Sequence, residues 1–298
     1  MRNSANPYPQ NSDTFQSLRA EAAARELLRG AGWDAFQSVY FIDVQEGIER
    51  ELDVAARRSW SRERDGRKID LWLLVECKSL GGKNALFAEQ EFGPAATLYH
   101  RWLGVDDDAI RARVRRTIDE AGFEIDEARR LIKRFETLAY PAGASAIRTL
   151  LPPLPRMRYA ASAMRAAGNE KGNDPFFDAW RALLDGAAGA IKEELDAAFG
   201  ELASDLTLRD AKKAPVTLRA ALSSLSMYHP ILVIDAPMYL LRANGALIEI
   251  DRCRMQHIRI SGVRKWFDVV RTAALPDYVA ELTDGYTSFF ARRRCEAR

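Results

Sequence analysis

The stretch IDLWLLVECKSL, residues 69–80, constrains this chain more than any other. It is apolar on both parities as far as Val75, as a strand covered on both faces must be. It then ends in a carboxylate and an amine one residue apart, Glu76 and Lys78. Residues i and i+2 of a strand share a face, so these two charges stand side by side at the C-terminal end of a buried strand. Upstream, GIERELDVAA (47–56) alternates as a second strand, and RRSWSRERDGRK (57–68) between the two reads as a charged hairpin with Asp65-Gly66 as its turn. Antiparallel pairing of the two strands brings Asp53 toward Glu76. Two carboxylates held close stay ionised together only around a cation. Oxygen ligands with open positions suit Mg²⁺ or Mn²⁺ rather than zinc.

Around this pair the chain alternates in character. DTFQSLRAEAAARELLRGAGW (13–33) is rich in strong helix formers and is stopped by Gly30 and Gly32. On a helical wheel Leu18, Ala24, Leu27, Leu28 and Ala31 mark its apolar side. Glu21 falls within that arc and Glu26 opposite it, so Glu21 is expected to point inward. FQSVYFIDV (36–44) is a further strand. Residues 85–227 read as almost wholly helical, after which HPILVIDAPMYLLR (229–242) returns as a strand and GALIEIDRCRMQHIRI (245–260) as a strand or hairpin. PDYVAELTDGYTSFFARRR (276–294) reads as a last helix. The expected class is α/β with a mixed α+β sheet flanked by helices, in the order α-β-β-β-(helical insertion)-β. The corresponding division is a flexible lead-in at 1–12, a first core segment at 13–84, the helical insertion at 85–227 and core completion at 228–298.

Composition narrows the function classes. At 47% hydrophobic and 29% charged residues with a formal net charge of +2, the chain reads as globular and not globally basic, so a nucleic-acid surface has to come from local patches. Candidates are Arg57, Arg58, Arg62, Arg64, Arg67 and Lys68 of the hairpin, whose tip is expected beyond the Asp53 end of the sheet, Lys83 after the glycine turn, and Arg252, Arg254 and Arg259 of the 251–265 ribbon. Gly81-Gly82-Lys83 does not fit a Walker loop and reads as a turn. Cys77, Cys253 and Cys295 make neither a disulfide framework nor a zinc pattern, which suits a reducing compartment. No secretory h-region and no apolar run of membrane-spanning length is visible, so a cytoplasmic protein without a membrane partner is expected. His100, His229 and His257 form no ligand pair and read as structural. Cys77, on the strand face opposite Glu76 and Lys78, reads as a small core residue.

The combination of an inward helix glutamate, ELDVA on the second strand and LLVECKS on the third resembles the PD-(D/E)XK nuclease superfamily, the restriction-endonuclease-like fold. The Gly32-Trp33 pair that closes the first helix, eleven residues after Glu21, matches that family's usual helix ending. The resemblance covers residues 13–80 and, more loosely, the returning strand at 230–241. It implies that Asp53 and Glu76 ligate Mg²⁺ or Mn²⁺, that the main-chain carbonyl of Cys77 completes the metal shell, that Lys78 orients the attacking water, and that Glu21 is the supporting acid. Leu52 stands where the family usually has proline. No Gln-x-x-x-Tyr element follows the lysine, and the helical block exceeds what the core needs. The expectation is a metal-dependent nuclease acting on nucleic acid, with DNA first, and with the helical insertion gripping substrate, a partner protein or a second copy in a homodimer. The alternative is a catalytically silent nuclease-fold module that binds nucleic acid or a partner through that insertion.

Overall fold

The computed structural model describes residues 13–42, 46–62, 67–90, 107–139, 157–167, 175–207, 227–258 and 264–292. Helix α1 (Asp13–Gly30) leads into three strands, β1 (Asp34–Ile42), β2 (Glu49–Arg62) and β3 (Arg67–Ser79), joined as an antiparallel meander. Strand β4 (Ala85–Gln90), helices α2 (Asp107–Glu120) and α3 (Ile125–Ala139), strand β5 (Ala160–Ala166) and helix α4 (Pro175–Thr207) follow. The chain then adds β6 (Met227–Asp235), β7 (Met238–Leu241), β8 (Leu247–Ile250), β9 (Arg252–Ile258) and β10 (Arg264–Arg271), and ends in α5 (Leu275–Arg292).

The ten strands among the described residues form one mixed sheet in the order β1-β2-β3-β6-β10-β9-β5-β4-β7-β8. The returning strand β6 runs parallel to β3 from Leu71↔Met227 to Ser79↔Asp235. That pairing explains why β3 is apolar on both parities: it lies between β2 and β6 with a core on each face. One face carries Leu74, Leu80, Leu232 and Ile234 against Phe176, Ala179 and Leu183 of α4. The other carries Leu71, Leu73, Val75 and Cys77 against Ala24 and Leu28 of α1 and Tyr278, Val279 and Leu282 of α5. The inward arc expected of α1 holds at Ala24 and Leu28, which are buried, but not at Leu18, which is exposed at the start of the helix.

The segment 85–227 is not wholly helical. It contributes β4 and β5, which pair with each other and with β7 and β9 inside the sheet. Alanine-rich AASAMRA is a strong helix former by local propensity, yet Ala160, Ala161, Met164 and Ala166 are buried in the sheet core. Tertiary burial has overridden propensity. The strand expected at 229–242 is two strands with Ala236-Pro237 between them: β6 lies between β3 and β10, and β7 between β4 and β8. Strand β10 was absent from the sequence reading altogether. The expected lead-in at 1–12 lies outside the described residues.

Helix α4 ties the layers together. Its 33 residues span about 50 Å, longer than the sheet face needs. The first half lies on the sheet. In the second half Phe199, Leu202 and Leu206 are buried, and Arg113 of α2 lies over the Phe199 ring while it pairs with Asp196. Where α4 passes β1, a Cβ on Gly189 would stand 2.6 Å from the Ile42 carbonyl oxygen, and one on Gly186 3.2 Å from the Phe41 ring. A carbonyl oxygen fixed in a strand cannot step aside as a side chain can. Gly189→Ala is therefore expected to push α4 off β1 and cost about 2–3 kcal/mol, read as a lower urea midpoint, with Gly200→Ala as the control because a Cβ there meets nothing within 4 Å. Among the described residues no helix is long and apolar enough to cross a membrane.

Candidate active site at the fork of the sheet

The β2–β3 ladder ends at Val54↔Val75. Beyond it, β2 continues paired only to β1, from Val39↔Leu52 to Ile42↔Glu49, while β3 continues paired only to β6, from Glu76↔Leu232 to Ser79↔Asp235. The two strands thus part at Asp53 and Glu76, and the fork between them holds the charged residues.

Asp53 closes the crotch of the fork. Its Oδ2 accepts the main-chain N–H of Cys77 at 2.7 Å, taking the place of a ladder carbonyl. Glu76 and Lys78 share the face of Leu74 and Leu80, and the Lys78 ammonium donates to Glu76 Oε2 at 3.1 Å. Glu76 is 3% exposed. Cys77 points the other way into the core, as the sequence indicated. Glu21 is buried on α1, where Oε1 accepts from Ser17 at 3.2 Å and Oε2 from the Gln37 amide at 3.1 Å. Gln37 in turn accepts from Arg25 at 3.3 Å. Glu21 is thus inward, as expected, and held by its own partners. Glu26 is exposed and paired with Arg25 and Arg29.

The electrostatics are those of too many carboxylates. Burial raises the Asp53 carboxyl, the Cys77 N–H and Lys78 oppose that rise, and the charges of Glu21 and Glu51 add to it. Burial, with the Asp53 charge behind it, pushes Glu76 up to about 7 in spite of Lys78. Burial works against the Lys78 ammonium, but Glu76 and Asp53 outweigh it and raise its pKa. Among the described residues, four acids, Asp53, Glu76, Glu21 and Glu51, act around one base, Lys78, and leave the fork short of positive charge.

This has a consequence for the metal-free protein. Folded Glu76 keeps its proton to about pH 7, whereas the unfolded side chain releases it near 4.5. Between those values the folded state binds more protons than the unfolded, so stability falls as pH rises. The loss is on the order of 3 kcal/mol. Urea midpoints in EDTA at pH 5 and pH 8 are expected to show it, and Glu76→Gln to remove most of the difference.

Among the described residues no group of three or more His, Cys, Asp or Glu side chains converges as a ready metal cluster. What the fork offers is smaller: two carboxylates, Asp53 and Glu76, with the main chain of Cys77 between them. That donor set is all oxygen, crowded with negative charge and open to further ligands, which fits a hard divalent cation and does not fit zinc.

The other basic candidates are placed differently from the expectation. The hairpin tip was expected beyond the Asp53 end of the sheet, but β3 starts at the hairpin and ends at the fork. Arg62↔Arg67 is therefore nine residues from Asp53, about 30 Å along the strand. Arg58 is turned inward, donating to the Ala31 carbonyl at 2.8 Å beside the Trp60 ring. Arg57 pairs with Asp70 at 3.3 Å and lies over Trp72. Arg254 is bidentate to buried Asp268, at 2.7 and 3.0 Å, and lies over Trp266. Arg252 pairs with Glu281. Each of these four is held by a partner within the fold. Lys83 is exposed and follows Gly81 and Gly82 (φ 56° and 83°) in a turn closed by its N–H to the Leu80 carbonyl at 3.0 Å, as a plain turn would be. Arg64 and Arg259, and the side chains of Arg62, Arg67 and Lys68, lie outside the described residues.

Sequence reasoning missed Ser17 and Gln37, which hold Glu21, because hydrogen bonds from one element to another leave no periodic signal. It also missed the company of His229. That ring is buried, with Nε2 3.1 Å from Asp268 Oδ2 and 2.7 Å from the Tyr278 hydroxyl, which itself donates to Asp268 at 2.8 Å. The structural role expected of His229 fits this placement. Compared with known proteins, the chain matches no family model, no curated protein and no solved structure.

Proposed function

We propose that this chain is a metal-dependent nuclease built on a restriction-endonuclease-like core, hydrolysing phosphodiester bonds of nucleic acid, with DNA the first substrate to test. The observation that carries the reading is the fork: a sheet that parts between Asp53 and Glu76, with Lys78 on the Glu76 face and an excess of buried carboxylate. The partial order β1-β2-β3-β6, an antiparallel meander followed by a parallel strand with α1 on one face, supports the fold assignment.

Asp53 and Glu76 would hold a Mg²⁺ or Mn²⁺ ion, which supplies Lewis-acid stabilisation of charge on the phosphate. The chain's own groups do the rest. Asp53 is fixed by the Cys77 N–H and cannot swing away. Lys78, kept cationic by its two acidic neighbours, hydrogen-bonds a water or a phosphate oxygen in the fork and offsets negative charge as it builds on phosphorus. Glu21 keeps the α1 side of the fork acidic, and its bonds to Ser17 and Gln37 set its orientation.

The test is incubation of end-labelled single- and double-stranded DNA and RNA with the protein in Mg²⁺, Mn²⁺ or EDTA. Cleavage that needs metal and names one substrate supports the proposal. Absence of cleavage together with absence of any Mn²⁺-dependent rise in melting temperature would overturn it, because a ligand that binds the folded state must stabilise it.

A further inference from the structure

Asp53 can occupy the crotch of the fork only because its neighbour across β1 is bent, and we infer that Ser38 is a positioning residue for Asp53. Ser38 has φ 55°, the only positive φ outside glycine among the described residues. That is an uncommon conformation for serine and one that β-branched residues avoid. Its side chain is exposed, so packing does not explain it.

The register shows what the bend does. Gln37↔Val54 on one side and Val39↔Leu52 on the other keep the same alignment, so no residue is inserted, yet the pair between them, Ser38 and Asp53, drops out of the ladder. The faces change across that gap. Before it, Ala35 packs in the core beneath α1 and α5, and Gln37 reaches Glu21 of α1. After it, Val39 and Phe41, still at odd positions, pack in the core beneath α4. The partner strand does the same: Val54 belongs to the first core and Leu52, two residues away, to the second. A regular strand would keep i and i+2 on one face. Both strands therefore roll over at one point, and Asp53, at the pivot, is aimed at neither face. Its carboxylate lies toward β3, where it takes the Cys77 N–H. The same roll lets Gln37 face Glu21 while Phe41 faces α4.

A straight β1 would place Asp53 on one face and leave the Cys77 amide open. The consequence for catalysis rests on the nuclease reading, but the positioning itself does not, and the experiment separates the two. Amide hydrogen exchange at Cys77 is followed by NMR in the metal-free protein, with the Leu73 and Leu74 amides as reporters of the intact ladder. Wild type and Ser38→Gly, which tolerates positive φ, are expected to protect the Cys77 amide. Asp53→Ala and Ser38→Val are expected to speed its exchange at least tenfold while Leu73 and Leu74 stay protected. Should Ser38→Val not fold, Ser38→Ala serves, with a smaller acceleration expected. Unchanged Cys77 exchange in the folded Ser38 variant would overturn the inference. In parallel, Mn²⁺ alone is added and melting temperature read. A rise in wild type and Ser38→Gly that is lost in Ser38→Val supports the link to the metal site. A wild type indifferent to Mn²⁺ would sink the metal reading and leave the exchange result to decide Ser38.

Discussion

Replacing Lys78 by alanine is expected to lower metal-dependent cleavage on the order of 10³-fold while leaving the fold intact. The side chain is about a quarter exposed and its described partner is Glu76, so its removal opens no core cavity. What it removes is the ammonium that pairs with Glu76 in the fork, and with it the group that can both hold a water and meet charge on the phosphate. Lys78→Arg is expected to recover little, because a planar, branched guanidinium does not replace a compact ammonium beside a buried carboxylate. Glu76→Gln and Asp53→Asn should lose activity comparably and should also lose the Mn²⁺ stabilisation. Lys78→Ala should keep that stabilisation, since it removes a competitor for the carboxylates. The pattern distinguishes ligand from water-positioning group. If Lys78→Ala cleaves as well as wild type, the lysine is a surface partner of Glu76 and the mechanism falls.

The largest effect on stability is expected two strands across the sheet from the fork, at Asp268. It is fully buried and bonded by Arg254, His229 and Tyr278. Burial alone would raise its pKa. The Arg254 charge and the hydrogen bonds from His229 and Arg254 overcome that and hold the carboxyl well below its usual range. Asp268→Ala leaves a nearly buried guanidinium, an imidazole and a phenol without their shared acceptor, at a cost of about 3–5 kcal/mol, a large part of a typical domain's stability. The sign with pH follows from the depressed value. The contribution is complete above the unfolded carboxyl pKa, about 4, and is lost as pH falls from there toward the folded value. Urea midpoints between pH 7 and pH 2 check both parts: wild type should lose stability on the acid side of about pH 4, and Asp268→Ala should start lower and fall less steeply. A near-neutral Asp268→Ala would mean that water enters and the network is not sealed.

How much of this was legible beforehand varies element by element. β3 announced itself by apolar residues on both parities, and the i, i+2 rule placed Glu76 beside Lys78 without any structure. The wheel of α1 put Glu21 inward, and it is inward. The same wheel failed at Leu18, because a helix end can run past the surface it packs on. The strands β4 and β5 were hidden in alanine-rich sequence whose local preference is helical. The basic hairpin was legible as a hairpin but was assigned to the wrong end of the sheet, although the chain direction of β3 already required the far end.

Residue order dictated the local alternation: which residues share a strand face, where the central strand runs, and which charges end it. These follow from backbone geometry over a few residues. Tertiary structure alone decided which cations are spent inside the fold, as Arg58 on a carbonyl and Arg254 on Asp268. It alone parted β2 from β3 and rolled β1 over at Ser38. Those outcomes depend on partners tens to hundreds of residues away, and the free energy of a buried charge is set by such partners rather than by its neighbours in the chain.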